Sequence, residues 1–363
     1  MCYVWEMESP NPLLTTEQPL PVFTDRVRKN EQITWYRSPL PPGAFKRLHE
    51  RSDARAAVQT LGYLAILATT FTAAWLSVGR VAWGWTALLI FAHGMVSSFL
   101  INGVHELGHG TVFKTKRWND IFCHVLAFFG WINHEVFQAS HVRHHRYTLH
   151  PPEDLEVVLP VRLMLRHFFL QGIFSWKDFK FNVVQALRLA RGKFRGEWEL
   201  TLFPEGDTER RRAPVRWARV LLLGHGAISL TGIVTGQWIL PVLLTFGPFY
   251  GGWLFWLCNN TQHIGLCDNV SDFRLCTRSF TLNPFVRFLY WQMNYHIEHH
   301  MYAAVPCYNL SELHTLIKKD LPPTPRGIAG VWREIAGILR KQETDPTFQY
   351  SPPLPPKPAA AAG

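Results

Sequence analysis

Two stretches without a charged side chain, 56–79 and 81–104, lie back to back around the single residue Arg80. Each runs for roughly 24 residues, about 36 Å as a helix at about 1.5 Å per residue. That is enough to cross a hydrocarbon core of about 30 Å. A one-residue break leaves no room for a domain, so the pair predicts a tight helical hairpin. From 220 to 260 there is no acidic or basic residue apart from His225. This run is about twice one span, and Gly236, Gln237 and Pro241 mark a turn within it. Helices over 220–235 and 238–258 are expected, a second hairpin.

Between the hairpins, 114–219 mixes charges, prolines and apolar patches such as 121–131, the pattern of interfacial or cytosolic helices. The chain after Cys267 is similar. The Pro-rich 351–358 and the Ala run after it are low in complexity, and disorder is expected there. The pattern divides the chain into a lead-in and interfacial segment (1–55), a membrane domain (56–320) and a C-terminal segment (321–363). Glu6 and Glu8, followed by prolines, do not read as a signal peptide.

Composition agrees. Charged residues are 18% of the chain against about 25% in soluble averages, so a membrane protein is expected. The net charge of +10 comes from Lys and Arg beside the apolar runs, at 26–29, 46–55 and 210–219. That placement suits anionic lipid headgroups rather than nucleic acid. The hairpin tips carry almost no charge, so the positive-inside rule puts both termini and the middle segment in the cytoplasm. Six cysteines without a C-x-x-C pair are expected to be reduced and structural.

Seventeen histidines remain to be explained. The second span runs into His105-Glu106-Leu107-Gly108-His109. The middle segment holds His141-Val142-Arg143-His144-His145, and the late one His296-Ile297-Glu298-His299-His300. Positions i and i+4 share a helix face, while i+3 projects at a neighbouring angle. Each H-x-x-H-H can therefore serve two adjacent metal ions. Eight clustered imidazoles exceed the three or four ligands of a zinc site, so two ions are expected, and iron with oxygen activation is the chemistry that uses so many neutral ligands. Isolated histidines (His93, His124, His134, His150, His167, His225, His314) read as packing residues. His105 to His109 is also an H-E-x-x-H, the zinc protease helix with Glu106 as base. That alternative leaves six histidines unused and finds no later Leu-Asp-Gly. A non-catalytic metal-binding membrane protein is the other rival.

These three clusters resemble the three histidine boxes of the membrane fatty acid desaturases and their hydroxylase relatives. The likeness covers about His105 to His314, including the stretch Met301 to Leu313 after the third cluster. Asn259-Asn260-Thr261-Gln262-His263 resembles the Asn-x-x-x-His of stearoyl-type members, which adds His263 as a ligand and Asn259 acting through water. The resemblance implies an all-α fold, two membrane hairpins beneath a cytosolic helical cap carrying a di-iron site. It implies nine ligating histidines: His105, His109, His141, His144, His145, His263, His296, His299 and His300. It implies oxygen-dependent desaturation of an acyl lipid, with hydroxylation or alkene-forming decarboxylation as alternatives on the same scaffold. Glu106, Glu135, Asp154 and Glu298 are candidate carboxylates behind the histidines, with Glu106 and Glu298 the candidates for a catalytic role. Neither a haem-binding His-Pro-Gly-Gly nor a ferredoxin cysteine pattern is present. A separate cytochrome b5 or ferredoxin, with its reductase, is therefore expected to supply electrons to an enzyme of the inner or endoplasmic reticulum membrane.

Overall fold

In the computed structural model, which describes residues 32–159, 169–170 and 172–356, the chain is helical, and its only β-pairing among the described residues is isolated bridges. Helix α1 (Asp53–Ser77) starts where Ser52 Oγ accepts the N–H of Arg55 at 3.3 Å, an N-cap that satisfies one orphan donor. It ends at Gly79, whose φ of 70° turns the chain. Helix α2 (Trp83–Ser97) returns beside it. Tyr63 Oη donates to the carbonyl of Val96 at 2.9 Å, and Thr70 Oγ1 lies 3.1 Å from His93 Nδ1. The expected first hairpin is present. After a short turn at Ser98–Phe99, α3 (Leu100–Gly108) continues α2, so His105 is still helical.

Helices α4 (Lys116–Phe129), α5 (His134–Tyr147) and α6 (Trp176–Ala190) fill much of the middle segment. Helix α7 (Thr208–Val234) begins twelve residues before the expected 220. Asp207 caps it by accepting the N–H of Arg210 at 2.9 Å. A helix is limited by its caps rather than by its apolar run, so it carries the Arg-rich stretch as its first turns. Among the described residues, three helices are long and apolar enough to cross a membrane: Asp53–Ser77, Trp83–Gly108 and Thr208–Val234. Leu61, Leu88, Leu223, Leu230 and Ile233 point outward along them. Trp75, Trp83, Trp85 and Trp238 are exposed at the hairpin tips, with Trp83 and Trp238 rings 5.9 Å apart. Apolar side chains outside and a tryptophan girdle at one end are what lipid contact selects.

The expected helix over 238–258 is not continuous. It is broken into α8 (Ile239–Leu244), a 3-10 turn at Gly247–Phe249 and α9 (Trp253–Asn259). Pro248 lacks an N–H and its ring excludes the carbonyl four residues earlier, and Gly251 takes φ 70°. The break lets two backbones meet. A Cβ on Gly251 would lie 2.6 Å from the carbonyl oxygen of Phe91, and one on Gly94 would lie 2.4 Å from that of Tyr250. The two isolated histidines of the apolar runs tie this segment down. His93 Nε2 lies 3.1 Å from the carbonyl of Leu243. His225 lies between Phe128 and Trp131, with Nε2 2.9 Å from the carbonyl of Phe128 and Nδ1 3.2 Å from Thr245 Oγ1.

Beyond α9 come α10 (His296–Met301), α11 (Leu310–Ile317) and α12 (Gly327–Thr344). They share one apolar core with α3, α4 and residues of the N-terminal segment 35–48. The disorder expected from residue 351 is not found up to residue 356. The N–H of Tyr350 donates to the carbonyl of Gly265 at 2.7 Å, and Pro352 and Pro353 line a cleft with Arg278 and Glu334. Proline has little conformational freedom to lose, so such a segment docks at small entropic cost. Pro358 and the Ala run lie outside the described residues.

Gly79 and Gly251 share the left-handed backbone, but only Gly251 lacks space for a methyl group. Gly79→Ala should lose about 1–2 kcal/mol from backbone strain alone. Gly251→Ala adds overpacking of about 1–3 kcal/mol. Thermal unfolding in detergent checks the order: equal melting points for the two variants would show that the close approach contributes nothing.

Candidate metal centre

Each histidine cluster is delivered by a different local device. His105 and His109 lie on the last turn of α3, whose other face packs so closely that a Cβ on Gly103 would meet Leu126 and Trp291. His141, His144 and His145 lie on α5, whose N-cap Asn133 accepts the N–H of Val136 at 3.3 Å. His263 stands in the turn after α9. Helix α10 is six residues long and buried on all sides, which leaves its imidazoles no direction to face except the other clusters.

The nine imidazoles converge in two sets. His105, His109, His141, His145 and His299 form one; His144, His263, His296 and His300 form the other. Within each set the nitrogen atoms lie within 4.8 Å of one another. Every i, i+4 pair stays together, and the i+3 histidine of each H-x-x-H-H crosses to the other set. Nε2 separations are 2.9 Å for His141–His145 and 3.1 Å for His145–His299, His263–His296 and His296–His300.

The far ring nitrogens decide which way the lone pairs point. Nδ1–H of His141 donates to Glu156 at 2.9 Å and that of His144 to Asp154 at 2.8 Å. Glu106 Oε1 lies 3.0 Å from His105 Nδ1 and 3.6 Å from His299 Nδ1, the latter beyond hydrogen-bond reach. His263 Nδ1–H donates to the carbonyl of Cys276 at 2.8 Å. Thr148 Oγ1 gives its proton to the carbonyl of His144 and accepts from His300 Nδ1–H at 3.1 Å. A proton held on Nδ1 leaves a lone pair on Nε2. Several Nε2 lone pairs thus face one another at about hydrogen-bond distance, and the buried Nε2 atoms of His105 and His109 have no partner at all. Buried polar atoms without partners call for a missing one, and a cation between them is the partner this donor set fits.

The electrostatics agree. Burial, then neighbouring imidazoles, pushes His141, His145, His296, His299 and His300 well below the usual histidine range, and His263 to about 3. These rings are therefore neutral, the form that binds metal. His144 departs from this pattern: burial lowers it, but the Asp154 carboxylate outweighs burial and raises it. Asp154 is itself pushed up by burial, yet His144 and the N–H groups of Leu149 and Glu156 bring it below its ordinary value. Burial raises Glu156 to about 7.

Of the expected carboxylates, Glu106 and Asp154 stand behind ligand positions. Glu135 makes no hydrogen bond to any of the nine imidazoles. Glu298 turns away from them, to Ser279 Oγ at 2.5 Å and to His314 Nδ1. Neither Glu106 nor Glu298 lines the cavity beside the histidines. Glu156 was missed; its signal was the Asp154-Leu155-Glu156 spacing, which puts two carboxylates on one side of a chain reversed at His150. Asn259 does line that cavity, with Asn102, Gln262 and Met293. The isolated histidines serve the fold: His93 and His225 as described, His150 at 2.8 Å from the carbonyl of Thr148, and His124 against His134 with ring centroids 4.4 Å apart. His167 lies outside the described residues.

Comparison with curated proteins gave no match. The sequence model of one family, fatty acid desaturase, matches residues 81–332. That match spans more than half of the chain and includes all nine histidines, so the chain belongs to the fatty acid desaturase family of membrane oxidoreductases acting on fatty acyl chains.

Proposed function

We propose that the chain is an oxygen-dependent di-iron enzyme that introduces a double bond into a fatty acyl chain. The observation that carries this reading is the convergence of nine imidazoles in two sets. The set of five would hold one iron, and the set of four the other, with Asn259 reaching it through water. Nine imidazoles in sets of five and four exceed the three or four protein ligands of one zinc site, which favours two iron ions over a single zinc. The protease alternative also loses its base, since Glu106 does not line the cavity beside the histidines.

When bound, iron supplies oxygen activation and removal of hydrogen from an unactivated C–H bond. The protein's share is positional. Glu106, Glu156 and Asp154 hold His105, His141 and His144 in one tautomer and orientation. Glu298 braces α10 against α11 through His314. Burial of the nine rings excludes water, which strengthens every polar interaction inside. The cavity beside the rings is lined by Ile101, Phe137, Val157 and Met293, and a second cavity toward the membrane shares Ile101. An acyl chain threaded past Ile101 would bring one carbon pair to the metals.

Formation of the double bond takes two hydrogens from the chain, and reduction of O2 to two waters needs two further electrons and two protons. A separate donor, ferredoxin or cytochrome b5 with its reductase, supplies them in this reading. The broken segment from α8 to α9 makes the fourth crossing, with both termini and the histidines on the cytoplasmic side, where the basic flanks lie.

Metal analysis of protein made in iron-replete cells should find two iron ions per chain, and one zinc without iron would sink the assignment. Asp154→Asn should weaken iron retention by about 10- to 100-fold. Unchanged affinity would remove Asp154 from the site. Ile101→Trp should keep both irons yet lower turnover by about a hundredfold through misplacement of the chain. Product profiles by mass spectrometry decide the reaction: loss of two hydrogens supports desaturation, and gain of oxygen would make the enzyme a hydroxylase.

A further inference from the structure

The di-iron reading requires electrons to reach rings that are almost wholly buried, and one surface feature leads to them. Trp35 is half-buried, and its ring stacks on Phe273 with centroids 4.1 Å apart and planes 10° apart. Phe273 is buried, and its ring centroid lies 5.4 Å from that of His300, a member of the four-histidine set. Trp35 Nε1–H donates to the carbonyl of Arg146 at 3.0 Å, which fixes the indole over this path. The neighbouring backbone is equally constrained: the N–H of Tyr36 donates to the carbonyl of Ser271 at 2.9 Å, next to Phe273.

The rim of this indole is cationic. Arg37 and Arg146 are exposed, and neither has an ion pair among the described residues. The nearby Asp272 and Asp320 share Arg274, at 2.8 and 2.9 Å, so one negative charge is left there against the two positive charges of Arg37 and Arg146, and Arg274 itself lies over the Tyr36 ring. Arg143 is paired with Glu153 at 2.7 Å. Two unpaired guanidinium groups beside a fixed aromatic ring suit an acidic partner protein, because complementary charge steers docking and sets its rate.

We propose that an acidic one-electron carrier protein docks over Trp35, between Arg37 and Arg146, and that its electrons reach the metal centre along Trp35, Phe273 and His300. The inference rests on the di-iron reading above. Each transfer oxidises the carrier by one electron and reduces the centre by one, twice per turnover. No bond forms or breaks along the path.

The test uses the full-length, iron-loaded protein in nanodiscs and a plant-type [2Fe–2S] ferredoxin as the probe carrier. Photoreduced deazaflavin serves as a small reductant that needs no docking site. Arg37→Glu with Arg146→Glu should slow reduction by ferredoxin at low salt by about tenfold or more. It should also weaken ferredoxin binding measured by surface plasmon resonance and flatten the salt dependence, with the deazaflavin rate unchanged. Trp35→Leu should lower the limiting rate at saturating ferredoxin, a readout that a change in affinity does not move, and Trp35→Phe should restore most of it. Charge reversals that leave binding and rate alone, or a Trp35→Leu variant with the wild-type limiting rate, would overturn the route. If deazaflavin finds no reducible iron in the wild-type protein, the di-iron reading falls and this route falls with it.

Discussion

Nitrogen lone pairs that face one another at about 3 Å inside an apolar core repel unless something positive lies between them. Six of the nine imidazoles have Nε2 atoms at 2.9 to 3.1 Å from one another, and Nδ1 contacts in the two sets show how the rings are held. Glu106, Glu156, Asp154, the Thr148 hydroxyl and the Cys276 carbonyl take the Nδ1 side of five rings. That leaves the Nε2 lone pairs pointing inward. Burial lowers the proton affinity of most of these rings, so protonation cannot relieve the repulsion. Cations between the rings would relieve that repulsion, which would couple metal binding to the fold.

Much of the remaining architecture follows from bringing four distant pieces of chain to that point. The second membrane helix must stay helical past the end of its apolar run so that His105 and His109 share a face. The segment after α8 must break, because an unbroken helix could not both cross beside Gly94 and present Asn259 with the turn that carries His263. The backbone contact at Gly94 and Gly251, with His93 and His225 tying down Leu243 and Thr245, holds the break in place. Backbone polar groups freed by a broken helix must find partners inside an apolar region, and these histidines are among the partners.

The fatty acid desaturase family acts on fatty acyl chains, which are apolar like the lipid that membrane helices face. The two cavities that share Ile101 run from the broken helix toward the imidazoles, while Trp35 and its arginines lie on a different approach, through Phe273. Substrate and electrons would thus arrive by separate routes, so that neither blocks the other.

The first hairpin, the apolar part of the third membrane helix from 220 onward (not its first turns from Thr208) and the sorting of histidines into i, i+4 pairs were legible from the sequence. Each depends on local periodicity: apolar length against bilayer thickness, and the helical angle between neighbours three and four apart. His263 was reached only through resemblance, because a lone histidine in a turn has no periodicity to reveal it. Glu156 was not reached at all, since its role depends on a chain reversal that brings it back to a helix fifteen residues earlier. The fourth apolar stretch misled for the opposite reason: its composition allows a continuous helix, and only the contact with Gly94 shows why Pro248 and Gly251 interrupt it. Sequence by itself determined which residues are able to bind metal, because that is a property of side chains and local spacing. Which rings converge in each set, which carboxylates stand behind them and which aromatic residue leads to the surface were decided by tertiary structure, because these are distances between segments that the chain brings together only by folding.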